Sequence, residues 1–139
     1  MQAFKTRQTL THAATMTMLS AAISKAEEIG QPQCIVIVDA SGELHGEIRM
    51  TGAKFLSRKS ATAKARTAAS NAAPTTAIPE SFRAPIAAAT GGAVTALPGG
   101  LPIIFDGELI GGIGIGSGSG EQDIAVANAA LESIGADIF

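Results

Sequence analysis

The run GGIGIGSGSGEQD, residues 111–123, limits the architecture more sharply than any other segment of this chain. It leaves a β-rich stretch and enters a helix-periodic one, so it joins a strand to a helix. Alternate residues of a strand share a face, which puts Gly112, Gly114 and Gly116 together on one side. A face without side chains admits either a ligand or another backbone at close range. Ser119 and Gln122 match the S-x-x-Q capping box, which predicts a helix start at Ser119. Free N–H groups and the positive dipole end at such a start favour an anion. The segment contains no G-x-G-x-x-G, no Walker lysine and no G-x-S-x-G nucleophile elbow.

Other elements follow from periodicity. Leu10, Ala14, Met18, Ala22, Ile23, Ala26 and Ile29 recur at spacings of three and four, predicting an amphipathic helix over 8–29. Gly30 and Pro32 end it. CIVIVD (34–39) is a β-branched run of strand length. LHGEIRM (44–50) alternates, with Leu44, Gly46, Ile48 and Met50 expected on one face and His45, Glu47 and Arg49 on the other. These two runs form a hairpin. A second helix, rich in Ala, Ser and Thr, is predicted from about Lys54 to Ala72. Pro74, Pro79 and Pro85 then leave room only for a short helix or turns. Asp106-Gly107 lies between two β-rich runs within 101–118 and signals another hairpin, because Gly tolerates the positive φ of a type I′ turn. Ile124, Ala127, Leu131 and Ile134 mark a last helix, which Gly135 can end. The residues therefore specify an α/β (α+β) fold: an antiparallel sheet with helices packed on it.

The chain has 139 residues, the length of one ordinary domain, expected to span 1–139. Hydrophobic residues make up 46% and charged residues 16%, which supports a packed core. There is no Trp or Tyr, and Ala and Gly supply much of the apolar count, so close helix–sheet contacts must replace bulky side chains. High hydrophobicity with low charge points to a homo-oligomer. The net charge of −2 argues against a nucleic-acid partner. No apolar run approaches the roughly 20 residues that span a bilayer. The amino-terminal residues lack a signal-peptide pattern, and the single Cys34 forbids an internal disulfide, so a cytoplasmic location is expected.

Several polar residues are candidates for chemistry. His45, Glu47 and Arg49 on one strand face would offer a proton-transfer group, a carboxylate and a planar anion clamp. The alternative is a solvated face whose charges merely pair. Lys64, flanked by alanines on the second helix, either enters a pocket or extends to water. Glu121 and Asp123 open the last helix, where acidic groups stabilise the dipole without any further role. His12, His45 and Cys34 have no metal-ligand spacing.

Two blocks carry a resemblance to a known family. IVIVDASGELHGEIRMTGAKFLSRKSATAKARTAA (35–69) resembles the strand–turn–strand block and Lys-Ala-x-Thr-Ala helix of the GlcG/HbpS family. LPGGLPIIFDGELIGGIGIGSGSGEQDIAVANAAL (97–131) resembles its second block. That family includes the carboxy-terminal domain of PduO-type adenosyltransferases. The resemblance implies a profilin-like sandwich, a central antiparallel sheet flanked by helices, and assembly into dimers or larger rings. It implies haem as a possible cofactor and matches Arg49, Lys64, Gly99, Gly100, Gly112, Glu121, Gln122 and Asp123 to motif positions, placing a ligand site near them. The expectation is a small-molecule-binding protein that takes haem or an anionic metabolite in a glycine-lined pocket. The alternative is a small catabolic enzyme acting on an organic acid as a tautomerase or isomerase, hydrolase or lyase. In that case His45 and Glu47 serve as acid and base and Arg49 holds the carboxylate.

Overall fold

A computed structural model describes residues 1–139. Helix α1 (His12–Glu28) leads to strands β1 (Cys34–Asp39) and β2 (Leu44–Arg49), then helix α2 (Ser57–Asn71). A 3-10 turn (Thr75–Ala77) and helix α3 (Glu80–Ala89) precede strands β3 (Gly100–Phe105) and β4 (Glu108–Gly116), and helix α4 (Gly120–Ser133) closes the order. The four strands form one antiparallel sheet in the order β2-β1-β4-β3. Helices α1 and α4 pack together on one face and α2 lies on the other. No helix is long and apolar enough to cross a membrane.

The two faces are built differently, and the alternation within β4 is the reason. Ile113 and Ile115 join Ile35, Ile37, Leu101 and Ile103 in a core closed by Met18 of α1 and by Val126 and Leu131 of α4. The opposite face offers Cys34, Val36 and Val38 to Ala61, Ala65 and Ala69 of α2. Gly112, Gly114 and Gly116 complete it. A Cβ on Gly112 would stand 2.3 Å from the Ala65 carbonyl oxygen, and one on Gly114 would stand 2.0 Å from that of Ala61. Of the two uses open to a bare strand face, close approach of another backbone is the one realised. The occupant of this glycine face is α2.

Local signals set most boundaries. Asp106 and Gly107 take φ of 50° and 76°, as the type I′ turn requires. The Thr11 side chain accepts from the Ala14 N–H, which starts α1 at His12 rather than at residue 8. Pro102 sits in β3, an edge strand, where a missing N–H breaks no ladder on its outer side. Of the two outcomes left open among the later prolines, a short helix is the one that forms. Pro85 lies inside the ten-residue α3, where its ring only removes the bond to Ser81, in the first turns of the helix. That helix buries none of its residues, and Phe82 is 61% exposed.

One register shift changes the surface of β2. Ile37 pairs with Gly46, but the next residue, Val38, pairs with Leu44. His45 is therefore the extra residue of a β-bulge, and the strict alternation expected over 44–50 is lost there. Gly46 and Ile48 stay opposite Ile37 and Ile35, toward α1, whereas Leu44 turns with Val38 toward the α2 face.

Candidate functional site

A polar cavity lies between α2, the Leu97–Pro98 loop and the amino end of α4. Its volume is about 340 Å³, at the small end of ligand pockets. Ser57, Ser60 and Lys64 reach it from α2, because spacings of three and four residues align them on one side of the helix. Lys54 stands at its rim; Ser117, Gly118, Gly120 and Asp123 form the opposite wall.

Lys64 and Asp123 form a buried ion pair at its base. The Lys64 Nζ donates to Asp123 Oδ2 at 3.0 Å and to the Ile115 carbonyl at 2.7 Å. Their side chains are only 6% and 3% exposed, so each depends on the other for compensation. Gly118 N–H donates to the second oxygen, Asp123 Oδ1, at 3.1 Å. Of the two alternatives open to Lys64, the inward one is realised.

The predicted capping box forms in full at α4. The Gln122 N–H donates to Ser119 Oγ at 3.2 Å, and the Ser119 N–H donates to Gln122 Oε1 at 2.9 Å. The first backbone bond into the helix is Asp123 N–H to Ser119 O. Asp123 is thus the chain's own anion at this helix start, and Gly120 and Glu121 retain the N–H groups left over. Glu121 points to solvent in the first turn and does not line the cavity.

The glycines expected to line the ligand site divide by position. A Cβ on Gly99 would meet Asp123 Cβ at 2.8 Å and Lys64 Nζ at 3.2 Å, so this residue lets the loop close over the ion pair. Gly100 is pressed against the Lys64 carbonyl and Gly112 against that of Ala65. Their empty side-chain positions are occupied by α2, not by open cavity. Lys64, Gly99, Gln122 and Asp123 therefore gather at one place, while Gly112 lies farther along β4 beneath the helix.

The strand triad is dispersed. Thr15 Oγ1 of α1 bonds to His45 Nδ1 at 2.6 Å, which places the bulged histidine on the α1 side of the sheet edge. Glu47 faces α2 and takes two hydrogen bonds from Arg58 Nε, at 2.9 and 3.0 Å, with a third from Nη2. That carboxylate raises the Arg58 guanidinium still further above its ordinary value, chiefly through these hydrogen bonds. Arg49 is exposed beside Met50, Thr51 and the Gly30–Pro32 turn, away from the cavity. The shared acid–base–clamp face expected from alternation does not form, because the bulge removes His45 and Arg58 engages Glu47.

Sequence reasoning passed over Lys54, Ser57, Ser60, Ser117 and Gln33. The 57, 60, 64 spacing was legible as one helix face; Lys54 and Ser117 meet only through the fold, where the Lys54 N–H donates to Ser117 Oγ at 3.0 Å. Gln33 is fully buried behind Gly118, and neither polar atom of its carboxamide has a partner. Burial pushes the neighbouring Cys34 thiol up from its usual range, with the hydroxyl of Ser117 opposing the shift.

Known proteins share this architecture. The family model described as haem-degrading protein HbpS-like matches residues 10–132. The corrinoid adenosyltransferase PduO of Citrobacter freundii is 37% identical over 120 residues, covering 82% of this chain and 36% of that protein. The chain thus spans about a third of the length of that relative. A crystal structure of a PduOC–haem complex matches with 30% identity and a TM-score of 0.88, over 94% of this chain and 98% of that one. Protein ORFY of Klebsiella pneumoniae matches with 30% identity and a TM-score of 0.91, over 97% of each chain. A family model covering all but the two ends, together with the same fold in these solved relatives, means that the chain belongs to the HbpS-like family.

Proposed function

We propose that this chain is a small-molecule-binding domain whose ligand presents an anionic group to the cavity between α2 and the amino end of α4. The observation that carries this reading is the charge balance of that cavity. Two amines, Lys54 and Lys64, face a single carboxylate, Asp123, which is already paired with Lys64. Lys54 has no carboxylate within 4.0 Å, and Gly120, the first residue of α4, lines the same space. A carboxylate entering there gains one free cation, the end of a helix dipole and the hydroxyls of Ser57 and Ser117.

A ligand that binds only the native state raises its melting temperature. At about 100 times its dissociation constant the gain is about 2.7 kcal/mol, or roughly 5–10 °C for a domain of this size. Thermal-shift screening of small mono- and dicarboxylates is expected to return such a hit and to lose it in Lys54→Ala, where the replaced side chain is exposed. A panel without any shift, or a hit indifferent to Lys54, would remove the anion reading.

A second reading, haem, is favoured by the haem complex of PduOC. His45 fits an iron ligand: Thr15 fixes its Nδ1, which leaves Nε2 free at an exposed strand edge. A metal-binding imidazole is usually oriented in this way by its other nitrogen. Haem would supply the iron for that contact, and Thr15 and the bulge would hold the ring in place. Absorbance titration with haem is expected to give a saturable, stoichiometric Soret shift that His45→Ala abolishes. A titration that never saturates counts against haem, and one unchanged in the variant counts against His45.

A further inference from the structure

Among the buried side chains, Gln33 alone leaves its polar atoms without a hydrogen-bond partner. It is 0% exposed, so water does not compensate it from outside. Exchanging the nitrogen and oxygen of the carboxamide changes nothing, since neither atom is bonded. Its main chain is pinned to Met50, whose N–H donates to the Gln33 carbonyl at 3.0 Å and whose sulfur accepts the Gln33 N–H at 3.4 Å. An amide buried in this state is costly, and native proteins keep few such groups.

The carboxamide lies behind one wall of the cavity between α2 and the amino end of α4. Gly118 belongs to that wall. A Cβ on Gly118 would stand 2.7 Å from Gln33 Nε2, 2.7 Å from Asp123 Oδ1 and 3.0 Å from Gln122 Oε1. Asp123 and Gln122 have other partners; Gln33 has none. Any side chain at position 118 would fill the point on which these three atoms converge. The adjoining backbone is strained as well. Ser117 has φ of 102°, well away from the left-handed minimum at about 57°. A serine held there stores energy that a movement of the turn releases.

We propose that Gln33 is a specificity-determining residue of this cavity, uncovered by a shift of the Ser117–Gly118 turn when a 2-hydroxy carboxylate binds. The assignment rests on the anion reading and names its ligand class. A carboxamide presents donors on its nitrogen and an acceptor on its oxygen, and in Gln33 both are unspent. A hydroxyl is the small group that both donates and accepts, and a cavity of about 340 Å³ calls for a small group. Ser117, whose hydroxyl is among the partners of the carboxylate, is adjacent to Gly118. The hydroxyl therefore belongs on the carbon next to the carboxylate. The helix start and Lys54 supply the attraction for the charge, and Gln33 reads the substituent beside it.

Lactate and propionate differ only in that hydroxyl and serve as the probes. Calorimetric titration of the wild-type protein is expected to show lactate binding about tenfold more tightly, the worth of one further hydrogen bond. Gln33→Met keeps the length of the side chain and removes both polar atoms. In this variant the two acids are expected to bind alike, at the level of propionate in wild type. The free variant is also expected to melt about 5 °C higher than wild type, because it no longer buries an unpartnered amide. A merely structural glutamine would instead lose stability on replacement and leave the ratio of the two acids unchanged. Equal affinity of wild type for both acids, a preference that persists in Gln33→Met, or a lower melting temperature of that variant would each overturn the assignment. The anion reading survives any of these results if Lys54→Ala still abolishes binding of both acids. Absence of binding of either acid to wild type overturns both.

Discussion

Gly114→Ala is expected to remove about 3–5 kcal/mol of stability, a large share of what a domain of this size possesses. The added methyl would stand 2.0 Å from the Ala61 carbonyl oxygen and 2.6 Å from the Ala65 nitrogen. Both are backbone atoms in the middle of α2, so no side-chain rotation relieves the clash. Either the helix lifts from the sheet and opens the thin core of Val36, Val38, Ala61 and Ala65, or β4 distorts between its two partners. Gly135→Ala is the comparison. It has φ of 72° but nothing within 4 Å of the new Cβ, so only the left-handed backbone penalises it, by about 1 kcal/mol. Urea denaturation of the two variants measures the difference. Equal losses would mean that α2 does not depend on the bare face of β4.

Asp123→Ala is the second large effect, expected to cost about 3–5 kcal/mol because it leaves the Lys64 ammonium buried without its counter-charge. It also leaves the Gly118 N–H without its acceptor. The double replacement Lys64→Met/Asp123→Leu removes both charges and keeps apolar volume at each position. It is expected to return to within about 1–2 kcal/mol of wild type, since the desolvation of the two charges offsets much of their attraction. Denaturation of wild type, Lys64→Met, Asp123→Leu and the double variant forms a complete cycle. If the single losses simply added in the double variant, the pair would not be coupled and its description as a mutually compensated unit would be wrong.

These two variants also separate the structural from the functional parts of the second motif block. Gly99, Gly100 and Gly112 meet α2 or the ion pair, and Asp123 compensates Lys64 and holds the Gly118 turn. The residues left with unspent capacity are Lys54, Ser57 and Ser117 around the cavity. They stand in parts of the sequence that no phosphate, nucleophile or metal pattern marks.

Features whose physics is local were legible along the chain. The capping box needs only residues three apart, and Ser119 and Gln122 form it. The tight turn needs only Asp106-Gly107, and the four strands and the long helices follow from periodicity within one element. Features that need two distant segments to meet were settled only by the fold. The bare face of β4 could have served a ligand or a backbone, and it served α2 because Ala61 and Ala65 were small enough to let the helix backbone settle there. Lys64 could have reached water, but Asp123 lies 59 residues away in sequence and 3.0 Å away in space. The triad on β2 failed for the same reason. Alternation places His45 with Glu47, yet pairing with β1 inserts a bulge at His45, and Thr15 and Arg58 then draw the two side chains to opposite faces of the sheet. A strand's own residues set its period, but its register against a neighbour sets which way each residue finally points.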